Sequence, residues 1–371
     1  MKRLLERAAG LGLIAVFCVA CSAGGDGGST TVYNYFAYVA NFGAYSVSAY
    51  SINSSTGALT EIAGSPYAAG TSPFSIAVEP AGKFAYAANS GSQNISAYTI
   101  SSSTGALTPI GGSPFTAGAS PASAAVGPSG KFTYIANRGS QNVSAYAITT
   151  SSGALTEIVG SPFASGASPA SIAVDPSGKF VYVANYGSQN VSVYAINTST
   201  GALTEIAGSP FTAGIAPESV AVDRSGKFAY VANYSSDNIS AFAINSSTGA
   251  LSEIAGSPFA AGDGPTSIAV DTSSKFAFVA NELSTTISAY TINPSTGALT
   301  QVLGSPYATE TYPSSVTIDP SGKFVYVANL GSNCITAYAI NSASGALTEI
   351  AGSPFATEDF PHSVIAIRIS Q

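Results

Sequence analysis

Ionisable and sulfur-bearing side chains are scarce in this chain. Of 371 residues only 8% are charged, one is histidine and three are cysteine. A single histidine and no paired Cys/His spacing exclude a zinc site of the usual kind. Cys18 and Cys21 stand close to the N-terminus, so Cys334 is left with no partner for an internal disulfide. Twelve Lys and Arg against nineteen Asp and Glu give a net charge of -7. That balance opposes a nucleic-acid partner, because phosphate backbones need a basic surface. No segment carries a helical period of apolar residues, which disfavours helical solenoids. No Gly-x-Ser-x-Gly occurs, so a serine acyl-enzyme of the nucleophile-elbow type is not expected. What the chain has instead is glycine (38), proline (20) and tyrosine (20), with 46% of residues apolar. Apolar and polar positions interleave throughout, which suits many short strands joined by tight turns.

The first thirty residues read as targeting sequence. Lys2, Arg3 and Arg7 precede an apolar run over 8–20, too short for a permanent membrane span. "CVAC" (18–21) resembles a bacterial lipobox, which implies cleavage after residue 20 and a lipid on Cys21. An ordinary cleaved secretory signal is the alternative. Residues 21–31, Gly- and Ser-rich, read as a flexible tether, and 32–371 as one domain. By the analogy with lipoprotein sorting, the Ser at position 22 implies an exported protein held at the outer membrane or cell surface, touching the membrane through its lipid alone.

The remainder is one unit repeated. Ala-Asn closes a valine-rich run at Asn41, Asn89, Asn137, Asn185, Asn233, Asn281 and Asn329, always 48 residues apart. Prolines at 73, 121, 169, 217, 265, 313 and 361 keep the same interval. Such a period marks a repeat architecture. In the copy around Pro169, "ASIAV", "KFVYVAN", "NVSVYAI" and "ALTEIAG" each alternate as strands, separated by "DPSG", "YGSQ" and "NTSTG" turns. "SPFASGASP" is read as the link onward. Four antiparallel strands per 48 residues predict an all-β, seven-bladed β-propeller. The domain begins on a second strand ("NYFAYVAN") and ends on a first ("HSVIAIRI"). The C-terminal strand should therefore complete the N-terminal blade and remove an exposed edge. A closed ring of this kind is expected to be a monomer.

"DPSGKFVYVANYGSQNVSVYAINTSTGALTEIAGSPF" resembles the repeats of lactonase-like propellers, the 6-phosphogluconolactonase-like group, and the related YVTN repeats of microbial surface proteins. The resemblance spans 33–370 and implies the fold and, more weakly, hydrolysis of a carboxylic ester in a sugar lactone.

Departures between copies point to a site. Repeated Lys83, Lys131, Lys179, Lys227, Lys275 and Lys323, the outer-strand glutamates and the inner-turn acids belong to the blade itself. Seven acids do not repeat: Glu218, Asp237, Asp263, Glu282, Glu310, Glu358 and Asp359. Arg138, Arg224 and Arg368 oppose them. All seven acids lie in the link before the inner strand or close to it, or in the turn after the second strand, which should share one face. His362 directly follows Pro361, equivalent to Phe74, Ala122, Ala170, Glu218, Thr266 and Ser314, and these seven positions are expected to ring the channel mouth.

Two functions compete for that face. The first expected reading is a surface ligand-binding or protein-interaction module. Glu282, Asp263, Glu310, Glu358 and Asp359 would line it, with Tyr186 and Tyr234 to stack on a carbohydrate; Asp263, Glu282 and Glu310 could hold a hard cation such as Ca2+. The alternative is a lactonase-like hydrolase. There His362 is the base, oriented by Glu358 or Asp359, with Arg138 and Glu218 completing the catalytic set. The plainer reading is a tolerated channel-mouth histidine and solvating acids.

Overall fold

The computed structural model describes residues 32–370, and the leader, the tether and Cys21 lie outside them. Within that range the chain forms seven antiparallel sheets and no helix. In the copy around Pro169 the inner strand is Pro169–Val174, the second Phe180–Asn185 and the third Asn190–Ile196. The fourth is broken. Leu203–Glu205 and Phe211–Thr212 pair with opposite ends of the third strand. Between them Ser209 turns the chain, and its hydroxyl accepts the Val193 N–H at 2.9 Å. The same serine bond recurs in all seven blades. The "SPF" segment, expected to be a link, is therefore half of the outer strand. The repeated Glu205 is also explained, since it accepts the Ser209 hydroxyl at 2.8 Å.

Alternation in the second strand sets how blades stack. Phe180, Tyr182 and Ala184 face one way, into a core with Val220, Ala229 and Val231 of the next blade. Val181 and Val183 face the other way, against Phe132, Tyr134 and Ala136 of the preceding blade. Every residue of this strand is buried, because both faces of a middle blade are covered. Each large apolar side chain so buried contributes about 1.5–3 kcal/mol. There are seven such cores among the described residues, one per blade junction.

Polar groups also join the blades. The inner strand leaves one edge of backbone facing the axis, and a serine hydroxyl covers it. Ser123 accepts the Ile172 N–H at 3.2 Å and Ser171 accepts that of Val220 at 3.2 Å. Ser363 accepts from Ile76 at 3.4 Å, completing a circle of seven. The circle is closed by backbone pairing of strands far apart in sequence, as expected: Pro361–Ser370 pairs antiparallel with Tyr33–Asn41.

Candidate functional site at the channel mouth

Pairing of the inner and second strands slips by one residue at the same place in every blade. Pro217 pairs with Asn233, yet Ser219 pairs with Ala232, leaving Glu218 unpaired in a β-bulge. The residues so displaced are Phe74, Ala122, Ala170, Glu218, Thr266, Ser314 and His362. A bulge re-aims a side chain that a regular strand would commit to the blade face. The ring predicted from sequence thus has a backbone cause. A second ring comes from the residue after each Ala-Asn, among them Arg138, Tyr186, Tyr234, Glu282 and Leu330. The invariant asparagine before it is fully buried. Asn185 donates to Asn190 and Ser192 at 2.8 and 2.9 Å, which fixes the turn that presents Tyr186.

These two rings alone line a cavity of about 240 Å³: Glu218, Thr266, Ser314 and His362 from the first, Arg138, Tyr186, Tyr234, Glu282 and Leu330 from the second. Its size is below the ~300–1,000 Å³ of drug-sized pockets, which suits a small guest. The sequence places Thr266 and Ser314 on the ring but gives them no role, and it does not single out Leu330. All three are uncharged and ordinary in type, so that ring position is the one signal that marks them.

Arg138 and Glu218 meet across the cavity, Nη1 to Oε1 3.1 Å, from elements eighty residues apart. The guanidinium also lies over the Tyr186 ring at 4.5 Å, a cation–π contact that holds it in place. Burial pushes the Glu218 carboxyl from its ordinary 4.5 up to about 7. Arg138 pulls against that shift and nearby Glu282 adds to it. Glu282 is itself raised by burial. A carboxyl poised near neutrality inside a cleft is suited to moving protons.

His362 stands on the expected ring, but its partners differ from expectation. Its Nδ1 donates to the Phe74 carbonyl at 2.9 Å, and its ring lies 3.5 Å from that of Phe74, centroid to centroid. Because a carbonyl only accepts, Nδ1 carries the proton and Nε2 the lone pair. Burial lowers its pKa to about 4, with the Phe74 bond opposing and Arg138 adding to the shift. The imidazole is neutral at pH 7. Neither Glu358 nor Asp359 orients it. Both are exposed, and Asp359 instead accepts from Asn333 Nδ2 at 3.0 Å.

Asp263, Glu310, Glu358 and Asp359 are exposed and outside the cavity lining. Among the described residues no three acidic, His or Cys side chains gather closely enough for a metal ion. Asp263, Glu282 and Glu310 are therefore not brought together as a cation site.

The profile of the family described as "Lactonase, 7-bladed beta-propeller" matches residues 30–114, 110–215, 162–259 and 217–364. The chain belongs to this lactonase family. Solved structures agree on the fold. A provisionally assigned 6-phosphogluconolactonase from Bacteroides uniformis superposes with a TM-score of 0.79 at 21% identity, over 90% of this chain and 99% of that one. The periplasmic gluconolactonase of Pseudomonas aeruginosa gives 0.77 at 18%, over 90% and 98%. At these identities the likeness is one of fold. No curated protein matches the chain. Within the lactonase propeller frame, the charged cavity occupies one end of the central channel. The repeated lysines occupy the other end, since they follow the inner strands whose starts carry the bulges.

Proposed function

We propose that this lactonase-family propeller hydrolyses a small lactone, with Glu218 as general base and Arg138 as the group that holds the developing charge. The observation that carries this reading is the Arg138–Glu218 pair inside the cavity, with the carboxyl raised to about 7. Water adds to the lactone carbonyl carbon while the Glu218 carboxylate takes its proton. The carbonyl electron pair moves onto oxygen, where the unshared N–H groups of Arg138 stabilise it. Collapse breaks the ring C–O bond, and the proton on Glu218 passes to the departing ring oxygen. The product is an open-chain hydroxy acid. His362, neutral and weakly basic, serves as an acceptor for a substrate hydroxyl rather than as the base. Family membership favours this activity over the surface-binding module that the sequence first suggested.

Export and a lipid on Cys21 are part of the same proposal, supported by the basic, apolar and "CVAC" segments. Enzyme-dependent proton release from aldonolactones, corrected for spontaneous opening, tests the activity. Glu218→Gln should lower kcat/KM by about 10²–10⁴-fold. No turnover above the blank by the unaltered protein would reject the hydrolase.

A further inference from the structure

The same cavity carries information about its ligand's charge and hydrogen-bonding character. Among the described residues that line it, Arg138 is the one cationic side chain, already paired with Glu218 at 3.1 Å, and Glu282 adds a second carboxyl. Around the rim Asp237, Asp263, Glu310, Glu358 and Asp359 are exposed acids. The six repeated lysines and Arg224 sit in the turns at the far end of the inner strands. Those strands are six residues long, so the lysines stand about 20 Å away at ~3.3 Å per residue, well beyond a Debye length of ~8 Å.

The two aliphatic hydroxyls lining the cavity are spent as donors. Thr266 Oγ1 donates to the Pro313 carbonyl at 3.0 Å, and Ser314 Oγ to that of Pro361 at 3.0 Å. What both still offer is lone pairs. His362 Nε2 offers another, because Nδ1 holds the proton. The two carboxyls add further acceptors, beside the unshared Arg138 N–H groups and the Tyr186 and Tyr234 hydroxyls as donors. An ionised phosphate only accepts and is close to dianionic, so it gains nothing from these acceptors and meets two carboxyls against a single guanidinium that is already paired. A neutral polyol ring, which donates from several hydroxyls, fits both requirements.

We infer that the cavity selects an unphosphorylated, polyhydroxylated lactone and rejects its phosphorylated counterpart, an inference that deepens the lactone-hydrolase reading of this site. Glu282 is the specificity-determining residue: it lines the cavity while the proposed chemistry passes through Glu218 and Arg138.

Equilibrium binding to the full-length protein tests this independently of turnover. The probes are a hexonolactam, which cannot be hydrolysed, and the same lactam bearing a 6-phosphate. The neutral lactam should bind at least about tenfold more tightly, with the gap narrowing in high salt and in Glu282→Gln. Equal or tighter binding of the phosphorylated lactam overturns the inference, as does binding of neither. Binding of the neutral lactam without turnover of any lactone would sink the hydrolase and leave this selection standing.

Discussion

Tyr326 donates its hydroxyl proton to the Gly57 carbonyl at 2.8 Å, across 269 residues of sequence. The bond joins the last complete blade to the first and is one of a set. Tyr38, Tyr86, Tyr134, Tyr182 and Tyr230 each reach a glycine carbonyl 67 residues onward in the neighbouring blades. The acceptor glycines leave room for the partner's aromatic ring. A Cβ on Gly57 would lie 2.5 Å from Phe324, and its φ is +77°, a conformation that favours glycine.

The seventh position of this set is Phe278, fully buried and without a hydroxyl. Tyr326→Phe should cost about 1 kcal/mol, the net value of a buried hydrogen bond. Phe278→Tyr should add about as much by reaching the Gly345 carbonyl. Urea denaturation of both variants checks the pair. A destabilised Phe278→Tyr would show that the seventh junction is packed differently from the other six.

Glu218 and His362 pull stability in opposite directions with pH. Folding raises the Glu218 pKa from 4.5 to about 7, so the folded state holds the extra proton and stability falls as pH rises between those values. Folding lowers the His362 pKa from 6.5 to about 4, so the unfolded state holds the extra proton and stability rises with pH in that window. The two slopes oppose each other between about pH 4.5 and 6.5. Melting temperature should therefore change little there in the unaltered protein. Glu218→Gln should make it rise with pH, and His362→Asn should make it fall. Parallel pH profiles for all three proteins would refute the coupling.

Catalysis carries the same titration. Turnover corrected for spontaneous opening should increase with pH to a plateau, half-maximal near 7. Arg138→Gln, which removes the charge that holds the Glu218 pKa down, should shift that midpoint upward and lower the rate. An unmoved midpoint would place the ionisation on another group.

Cys334 should be inert while the protein is folded. It is buried, and burial pushes the thiol up to about 11, leaving almost no thiolate to react at neutral pH. Iodoacetamide should modify Cys334 only after denaturation, as read by peptide mass spectrometry. Cys334→Asn restores the residue that closes this turn in four other copies (Asn94, Asn142, Asn190 and Asn238). It should be tolerated or mildly stabilising, because Asn329 Nδ2, which keeps its bond to Thr336 Oγ1 at 2.8 Å, has a weak sulfur contact at 3.7 Å where Asn185 has the Asn190 oxygen at 2.8 Å.

The repeat period was enough to give blade number, strand order and ring closure. A constant 48-residue interval with no insertion leaves one packing for seven equivalent sheets, and an orphan second strand needs the orphan first strand. Repetition also showed which charges are structural: Asp175 accepts from the Ser177, Lys179 and Phe180 N–H groups, as a turn residue should. The broken outer strand is not legible in the sequence, because a serine hydroxyl standing in for a backbone bond leaves no mark on hydrophobic alternation. Cavity membership was also beyond the sequence. Off-template charge picked out Glu218, Glu282 and Arg138 together with Asp263, Glu310, Glu358 and Asp359, and position along the chain could not separate the two groups. Only the bulge after each proline and the buried asparagine before each second ring residue decide which side chains turn toward the axis. Charge pattern names the face; backbone geometry, closed into a circle, decides which of its residues can meet.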